Sequence, residues 1–491
     1  MTETNHSGPV FPTIELDLDG RLETVAVGGH HLLPKLPEAL VGVDVIGVIG
    51  WGPQGRAQAC NLRDSLRGTG IRVTVGLRPE SPSWRDAEAH GFTEATGTLG
   101  EMFEVIAQAD LVLLLIADAA QVELYPKIFE LLQPGATLGL SHGFLIGHLD
   151  AVGDALPAGV NVIGVCPKGM GASVRRLYEQ GSGINASFAV EQDIDGWATD
   201  LALAWAVGIG APYAFRTTLR SELRSDVFGE RAILLGAVHG IVEALYRQAR
   251  DEGDEEEVAF ERACESLTGP LARTLSRQGI AGVLSALTTP EARAGFGRAY
   301  AATYGPAAAL LEELYDEVDS GRELQSVSAA VARLARHPLA PVETTPMWEA
   351  GRRVRVARDS RPAAVPIDAR TAGVFLAVMV AQIDLLRAKG HPWSEIANES
   401  VIEAVDSLIP YMHSRGVAHM IDNCSTTARI GARRWGPAFE AMVAREVLPA
   451  LHGDGTQAGA GAVLHALETH PVHAVLRTLA ELRPPIDIAV S

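Results

Sequence analysis

The sequence predicts an α/β domain built on a parallel sheet, followed by an all-helical region. Three observations predict it. Five short apolar runs, at residues 45–49, 71–77, 111–116, 136–140 and 161–165, alternate with helix-length stretches such as 56–67 and 82–90. Strands buried on both faces and joined by helices read this way. The first run leads into a glycine cluster, and after about residue 217 the strand signals stop.

Taken in order, residues 1–40 are mixed, with turn formers such as Gly28-Gly29, and read as an N-terminal arm. Residues 41–217 hold the alternating runs and form the α/β domain. Long patterns rich in Ala, Leu, Glu and Arg follow at 221–250, 308–318, 372–389, 394–412 and 437–451, as packed helices require. The Arg- and Pro-rich stretch 352–370 is the natural join, dividing the helical region into 218–359 and 360–491.

Composition narrows the function classes. Among 491 residues, 60 acidic against 41 basic side chains give a formal charge of −19, which repels phosphate backbones and anionic membranes, so no nucleic-acid or membrane partner is expected. The uncharged apolar stretch 372–381 is about half the roughly twenty residues that span a bilayer and reads as buried core. The opening MTETNHSGPVFP has neither a secretory nor an Arg-rich amphipathic pattern. Cys60, Cys166, Cys264 and Cys424 lie far apart, as in a reduced compartment. A cytoplasmic protein is expected.

Gly50-Trp51-Gly52-Pro53-Gln54-Gly55 is a GxGxxG that follows an apolar run and opens a helix. That context is a dinucleotide fingerprint: glycines permit the tight turn and let backbone N–H groups approach a pyrophosphate at the helix's positive end. The next strand ends in Arg78 with Ser81 and Ser83 nearby, and no carboxylate stands at its end. A guanidinium and two hydroxyls suit a 2′-phosphate, so NADPH is favoured over NADH.

Asp226 and Glu230 stand at i and i+4 on one helical face, and Glu399 and Glu403 repeat the spacing. Each pair sits within an apolar helix, where like charges need compensation. A hard cation such as Mg²⁺ would supply it, while two solvated acidic faces on an acidic protein are the commoner source of such spacing. His142 and Lys168 follow apolar strands, the ends at which open α/β sheets bind ligands. The polar run 422–429 reads either as a helix cap or as a hydroxyl-rich substrate pocket.

The segments GVIGWGPQG, GLRPESPSW, LGLSHGF, VCPKGMG, RSDVFGERAILLGAVHG, NESVIEAVDSL and DNCSTTARIGARRW occur in this order and closely resemble ketol-acid reductoisomerase in its long, plant-like form. The likeness runs from about Val25 to near Ile488. It implies a Rossmann-type NADPH-binding domain and a knotted all-α domain of two related halves, whose acidic pairs meet at one site for two Mg²⁺ ions. By the same match Asp226 and Glu230 are direct metal ligands, and Glu399 and Glu403 complete the site. Ser425 contacts substrate, His142 is catalytic, and Lys168 helps hold metal-bound water and substrate. Trp51, Gly52, Pro53, Gln54, Arg78, Ser81 and Ser83 match nucleotide contacts, as do Asp118 and Gly171.

The implied reaction is a Mg²⁺-dependent alkyl migration in 2-acetolactate or 2-aceto-2-hydroxybutyrate, followed by NADPH reduction to the 2,3-dihydroxy acid. Glu403 is the candidate group for proton movement in the first step. A homodimer is implied, with a tetramer the variant seen among long relatives. Pro53 departs from the family's Ser or Ala and removes one backbone donor, and Glu80 stands where plant relatives have a basic residue. An NADP-dependent hydroxy-acid dehydrogenase, or a non-catalytic NADPH-binding protein, is the alternative reading. The dehydrogenase would need no Mg²⁺.

Overall fold

The structure is a computed structural model describing residues 9–361, 363–451 and 457–490. Ten strands form one sheet: β1 (Thr13–Leu18), β2 (Arg21–Val27), β3 (Val45–Ile49), β4 (Arg72–Leu77), β5 (Leu99–Glu101), β6 (Leu111–Leu114), β7 (Thr137–Leu140), β8 (Asn161–Pro167), β9 (Ala186–Gln192) and β10 (Tyr213–Arg216). Their order is β1-β2-β10-β9-β8-β7-β6-β3-β4-β5. The part β5-β4-β3-β6-β7-β8 is parallel throughout and has the Rossmann strand order, with β3 and β6 side by side where the winding reverses. Ligands of such sheets bind outside the strand ends at that reversal, which is where β3 runs into Gly50.

The expected N-terminal arm is instead part of this sheet. Thr13–Leu18 and Arg21–Val27 form a hairpin closed by Asp19 and Gly20, both at positive φ (55° and 79°), as a two-residue hairpin turn requires. β2 then pairs antiparallel with β10, so the arm covers what would have been an open edge. β8 and β9 are antiparallel, and β9 and β10 parallel. Helices Pro53–Ser65 and Ala198–Gly208 belong to one core layer with Ile46, Val48, Leu111 and Leu113, while Ile49, Val112, Leu138 and Val162 pack in the other.

The chain divides into two compact units, residues 1–223 with 478–487, and residues 224–477 with 488–491. The division therefore falls inside the helix Leu219–Arg231 rather than at residue 217, and a C-terminal segment returns to the first unit. That return is made by Ile486, which packs on Val174 and Leu177, and by the Asp487 carbonyl, which accepts from Arg176 Nη1 at 2.6 Å.

The second unit is all-helical among its described residues. The single helix expected over 221–250 is two, Leu219–Arg231 and Gly236–Asp251. Leu235 adopts φ −149°, and a Cβ on Gly236 would stand 1.9 Å from the Arg231 carbonyl oxygen, so the chain can turn there only with glycine. Helix Ala369–Ala388 forms the core of the unit. It is long and apolar enough to span a membrane, but 83% of its apolar window is buried within the protein. It packs along the thirty-residue helix Pro290–Asp319, where Gly373 brings its backbone against that of Phe296. Helix Gly236–Asp251 packs along Thr426–Met442 with Gly240 against Gly436. Several helices contain π-turns, including Asn398–Ile402 and Ala404–Leu408, which lie on either side of Glu403.

Candidate functional site

In the first unit, each fingerprint glycine has a separate structural reason. Gly50 adopts φ 110°, and a Cβ there would lie 2.7 Å from the Leu115 carbonyl oxygen. Gly55 seats the helix on the strand, since a Cβ would come within 2.4 Å of the Gly50 oxygen. Gly52 meets nothing within 4 Å and is exposed, the open position where a phosphate could approach the backbone. Pro53 is the first residue of helix Pro53–Ser65, where an N–H would have no intrahelical partner and a proline costs the helix nothing.

Trp51 is buried, and its indole Nε1 donates to Asp86 at 2.6 Å while its ring packs edge-on against Phe92. That hydrogen bond, with help from His90 and Arg56, holds the Asp86 carboxyl below the usual carboxylate range. Gln54 Nε2 donates to the Gly169 carbonyl at 2.8 Å, tying the loop to the end of β8. Gly171 does the same by contact: a Cβ there would sit 2.0 Å from the Pro53 oxygen, so only glycine lets the two loops meet.

Arg78 is exposed at the end of β4, with its carbonyl accepting from the Trp84 indole at 2.8 Å. Ser81 and Ser83 follow in the same turn, joined by a 3.3 Å bond from the Ser83 amide to Ser81 Oγ. Glu80, just before Ser81, is exposed at φ 58°, a conformation glycine or asparagine would take more readily. Asp118 opens helix Asp118–Leu131, the helix that follows β6.

His142 and Lys168 meet at a residue the sequence reading missed. Glu222 accepts from the Gly143 amide at 2.8 Å, with Lys168 Nζ 3.5 Å and His142 Nδ1 3.4 Å from its oxygens. Lys168 and Glu222 side chains are only 1% and 2% exposed. Burial alone would push the Glu222 carboxyl up, but the charges of His142 and Lys168 and these hydrogen bonds hold it well below its usual range. A signal for it was present, because Glu222, Asp226 and Glu230 succeed one another at i, i+4 and i+8 on the helix Leu219–Arg231.

In the second unit, Asp226, Glu399 and Glu403 come together, each offering a carboxylate oxygen within 4.8 Å of the others. Glu399 is fully buried and Glu403 is 8% exposed. At an effective dielectric constant of about 20, two like charges at that separation repel by about 3 kcal/mol, so three ionised carboxylates here call for a cation. An all-oxygen donor set of this kind fits a hard divalent ion such as Mg²⁺. Glu230 stands outside the triplet and is paired with Arg231 at 3.1 Å. Arg231 is itself fully buried and bonds to Glu323 at 2.8 Å. Glu323 also accepts from Arg434 and Trp435, a bracket that the spacing of acidic residues did not reveal.

The run 422–429 acts as a helix start. Ser425 Oγ accepts from the Ala428 amide at 3.0 Å and caps helix Thr426–Met442, and the serine remains exposed. Asp422 accepts from the Val342 amide at 2.9 Å and pairs with Arg433. Burial and the nearby Glu230 charge push the neighbouring Cys424 thiol up to about 12, so it stays protonated.

Comparison with known proteins fits both units. Residues 41–214 match the model of the acetohydroxy acid isomeroreductase NADPH-binding domain, and residues 219–360 that of the ketol-acid reductoisomerase C-terminal domain. The chain is 47% identical to the chloroplastic ketol-acid reductoisomerase of Spinacia oleracea, covering 100% of this chain and 84% of that protein. It is 49% identical to that of Pisum sativum, covering 98% and 84%. A ketol-acid reductoisomerase (NAD(+)) of Desulfosudis oleivorans is 36% identical over 71% of this chain and 98% of its own. Among solved structures, an NADH-preferring ketol-acid reductoisomerase from an uncultured archean shares the fold with a TM-score of 0.56 at 24% identity, over 64% of this chain and 94% of its own.

The cytoplasmic expectation is overturned by the spinach and pea relatives, which are chloroplastic. An acidic surface and scattered reduced cysteines suit any reducing aqueous compartment, so they never discriminated between the two. A nicotinamide-binding domain, a helical C-terminal domain and near-half identity to two plant enzymes along almost the whole chain lead to one conclusion: this chain belongs to the ketol-acid reductoisomerase family, oxidoreductases of branched-chain amino acid biosynthesis that act on small molecules.

Proposed function

We propose that this chain rearranges 2-acetolactate and 2-aceto-2-hydroxybutyrate by alkyl migration between adjacent carbons, then reduces the resulting 2-keto acid with NADPH to the 2,3-dihydroxy acid. The observation that carries this reading is the convergence of Asp226, Glu399 and Glu403 from helices far apart in sequence. A simple dehydrogenase has no need of it.

Asp226, Glu230, Glu399 and Glu403 are the residues that would hold two Mg²⁺ ions. When bound, the ions would polarise the substrate carbonyl and lower the pKa of its hydroxyl. Glu403, the less buried of the two second-half glutamates, accepts the proton leaving that hydroxyl. Lys168, 3.5 Å from Glu222, offers its ammonium to the substrate's oxygens, and His142 shares the same carboxylate. Ser425, whose oxygen is engaged in the cap, still has its O–H to donate to substrate.

On the cofactor side, the Gly50–Gly55 loop and the start of its helix receive the pyrophosphate, with Asp118 and Gly171 bordering it. Arg78, Ser81 and Ser83 take the 2′-phosphate. Glu80 in the same exposed turn weakens but does not reverse that preference, since a screened carboxylate costs less than a direct guanidinium contact gains.

The test follows NADPH absorbance with 2-acetolactate, with and without Mg²⁺, for the wild type and Asp226→Asn. Mg²⁺-dependent oxidation that falls at least a hundredfold in the variant is expected. Metal-independent turnover would replace this reading with a hydroxy-acid dehydrogenase, and NADPH binding without turnover would replace it with a non-catalytic protein.

A further inference from the structure

A phosphomonoester such as the 2′-phosphate of NADPH carries nearly two negative charges at neutral pH. The turn read as receiving it offers Arg78 but also Glu80, so its formal charges cancel, and Ser81 and Ser83 add hydroxyls without charge. A second cation would restore the balance, and the first unit holds one in Arg56.

Arg56 is the fourth residue of helix Pro53–Ser65, and its amide donates to the Gly52 carbonyl at 2.9 Å. It therefore stands one turn beyond the exposed glycine where a phosphate could approach the backbone. Its guanidinium lies 3.6 Å from Asp86 Oδ2. Asp86 is on helix Ser83–Ala89, three residues after Ser83 and so on the same face. Both helices follow adjacent parallel strands, β3 and β4, so the pair runs from the pyrophosphate turn to the helix that opens at the 2′-phosphate turn.

The two partners are held very differently. The Trp51 indole donates to the same Asp86 oxygen at 2.6 Å, and His90 Nδ1 lies 3.7 Å from the other. The Arg56 side chain makes no other hydrogen bond or ion pair among the described residues, and both members of its pair are 45% exposed. Such a pair is weak, and a phosphate dianion competes well against one carboxylate for a guanidinium. Arg85, the next cation along, stands two residues from Ser83 and so off its face.

We propose that Arg56 is a second guanidinium for the 2′-phosphate and that Asp86 is its resting partner. Asp86 keeps the guanidinium between the two turns until the phosphate takes it over, while Trp51 holds the carboxylate in place. This rests on reading Arg78, Ser81 and Ser83 as the 2′-phosphate turn.

Calorimetric titration of the full chain with 2′,5′-ADP and with 5′-AMP, which differ only in the 2′-phosphate, reads the contact directly. Arg56→Gln is expected to weaken 2′,5′-ADP about tenfold and 5′-AMP less than about twofold. Asp86→Asn keeps an oxygen for the Trp51 indole and should strengthen 2′,5′-ADP about threefold, a gain that should vanish when Arg56→Gln is added. Arg85→Gln should leave the ratio of the two affinities within about twofold of wild type. Equal weakening of both ligands in Arg56→Gln would assign the guanidinium to the pyrophosphate and overturn the proposal, as would weakening of neither. An Arg85→Gln effect as large as that of Arg56→Gln would also overturn it, because general charge would then account for the preference. A folded Asp86→Asn without the gain overturns the role of Asp86, and if that variant folds poorly Arg56→Gln alone decides. Equal binding of the two ligands by wild type would remove the NADPH reading and the proposal with it. A wild-type preference that Arg78→Gln abolishes and Arg56→Gln leaves intact overturns the proposal alone.

Discussion

Replacing Glu222 by Gln keeps the shape of the side chain and removes its charge. The Lys168 ammonium, 1% exposed, would lose the carboxylate 3.5 Å away, and His142 would lose the same partner. Breaking a buried pair by neutralising one member typically costs about 3–5 kcal/mol, because the other charge stays buried. For a unit of this size about 3 kcal/mol corresponds to roughly 6–12 °C in the Tm of the first unit. The pH dependence gives a second reading of the same contact. The folded carboxyl of Glu222 lies below its unfolded value. Its stabilisation is therefore fully present above the unfolded pKa of about 4.3, and fades as pH falls from there through the depressed folded value.

The difference between wild type and Glu222→Gln should thus be largest near neutrality and shrink below about pH 4. Calorimetry of the full chain in EDTA, over a pH series, measures it without a metal contribution. In a double-mutant cycle Lys168→Met should recover part of the loss, since the buried ammonium that Glu222 faces leaves with it. A loss under about 1 kcal/mol at neutral pH, or one that does not shrink as pH falls from about 4 towards 2, would refute the claim that Glu222 acts as a buried counter-ion.

Two other perturbations have expected outcomes. Glu399→Gln removes one of three mutually repelling carboxylates, so the metal-free protein should gain about 1–3 kcal/mol while its stabilisation by Mg²⁺ disappears, read as Tm with and without the ion. Gly52→Ala meets open space and should keep its Tm while NADPH affinity falls about tenfold, whereas Gly171→Ala drives a Cβ to 2.0 Å from the Pro53 oxygen and should lower both Tm and affinity, as calorimetry and cofactor titration would show.

Local chemistry made much of the first unit legible. Val45–Ile49 and the glycines after it carry their meaning in a dozen consecutive residues, because a buried parallel strand must be apolar and a tight phosphate-binding turn must be glycine. The hairpin at Asp19-Gly20 was equally legible, with an Asp-Gly turn between alternating runs, but reading residues 1–40 as an arm passed over it. Strands β9 and β10 carry polar residues at their ends, and pairing with neighbours rather than pattern makes them strands.

The sequence by itself determined the nucleotide fold, the two acidic pairs and the family resemblance, since each rests on residues close together along the chain. Tertiary structure alone decided that Asp226 meets Glu399 and Glu403 while Glu230 turns to Arg231, and that Glu222 joins His142 and Lys168. Spacing fixes which side chains share a helix face. Which face meets which is set by packing between segments far apart in the chain, where Arg231 and Glu323, both fully buried, choose partners that no local pattern names.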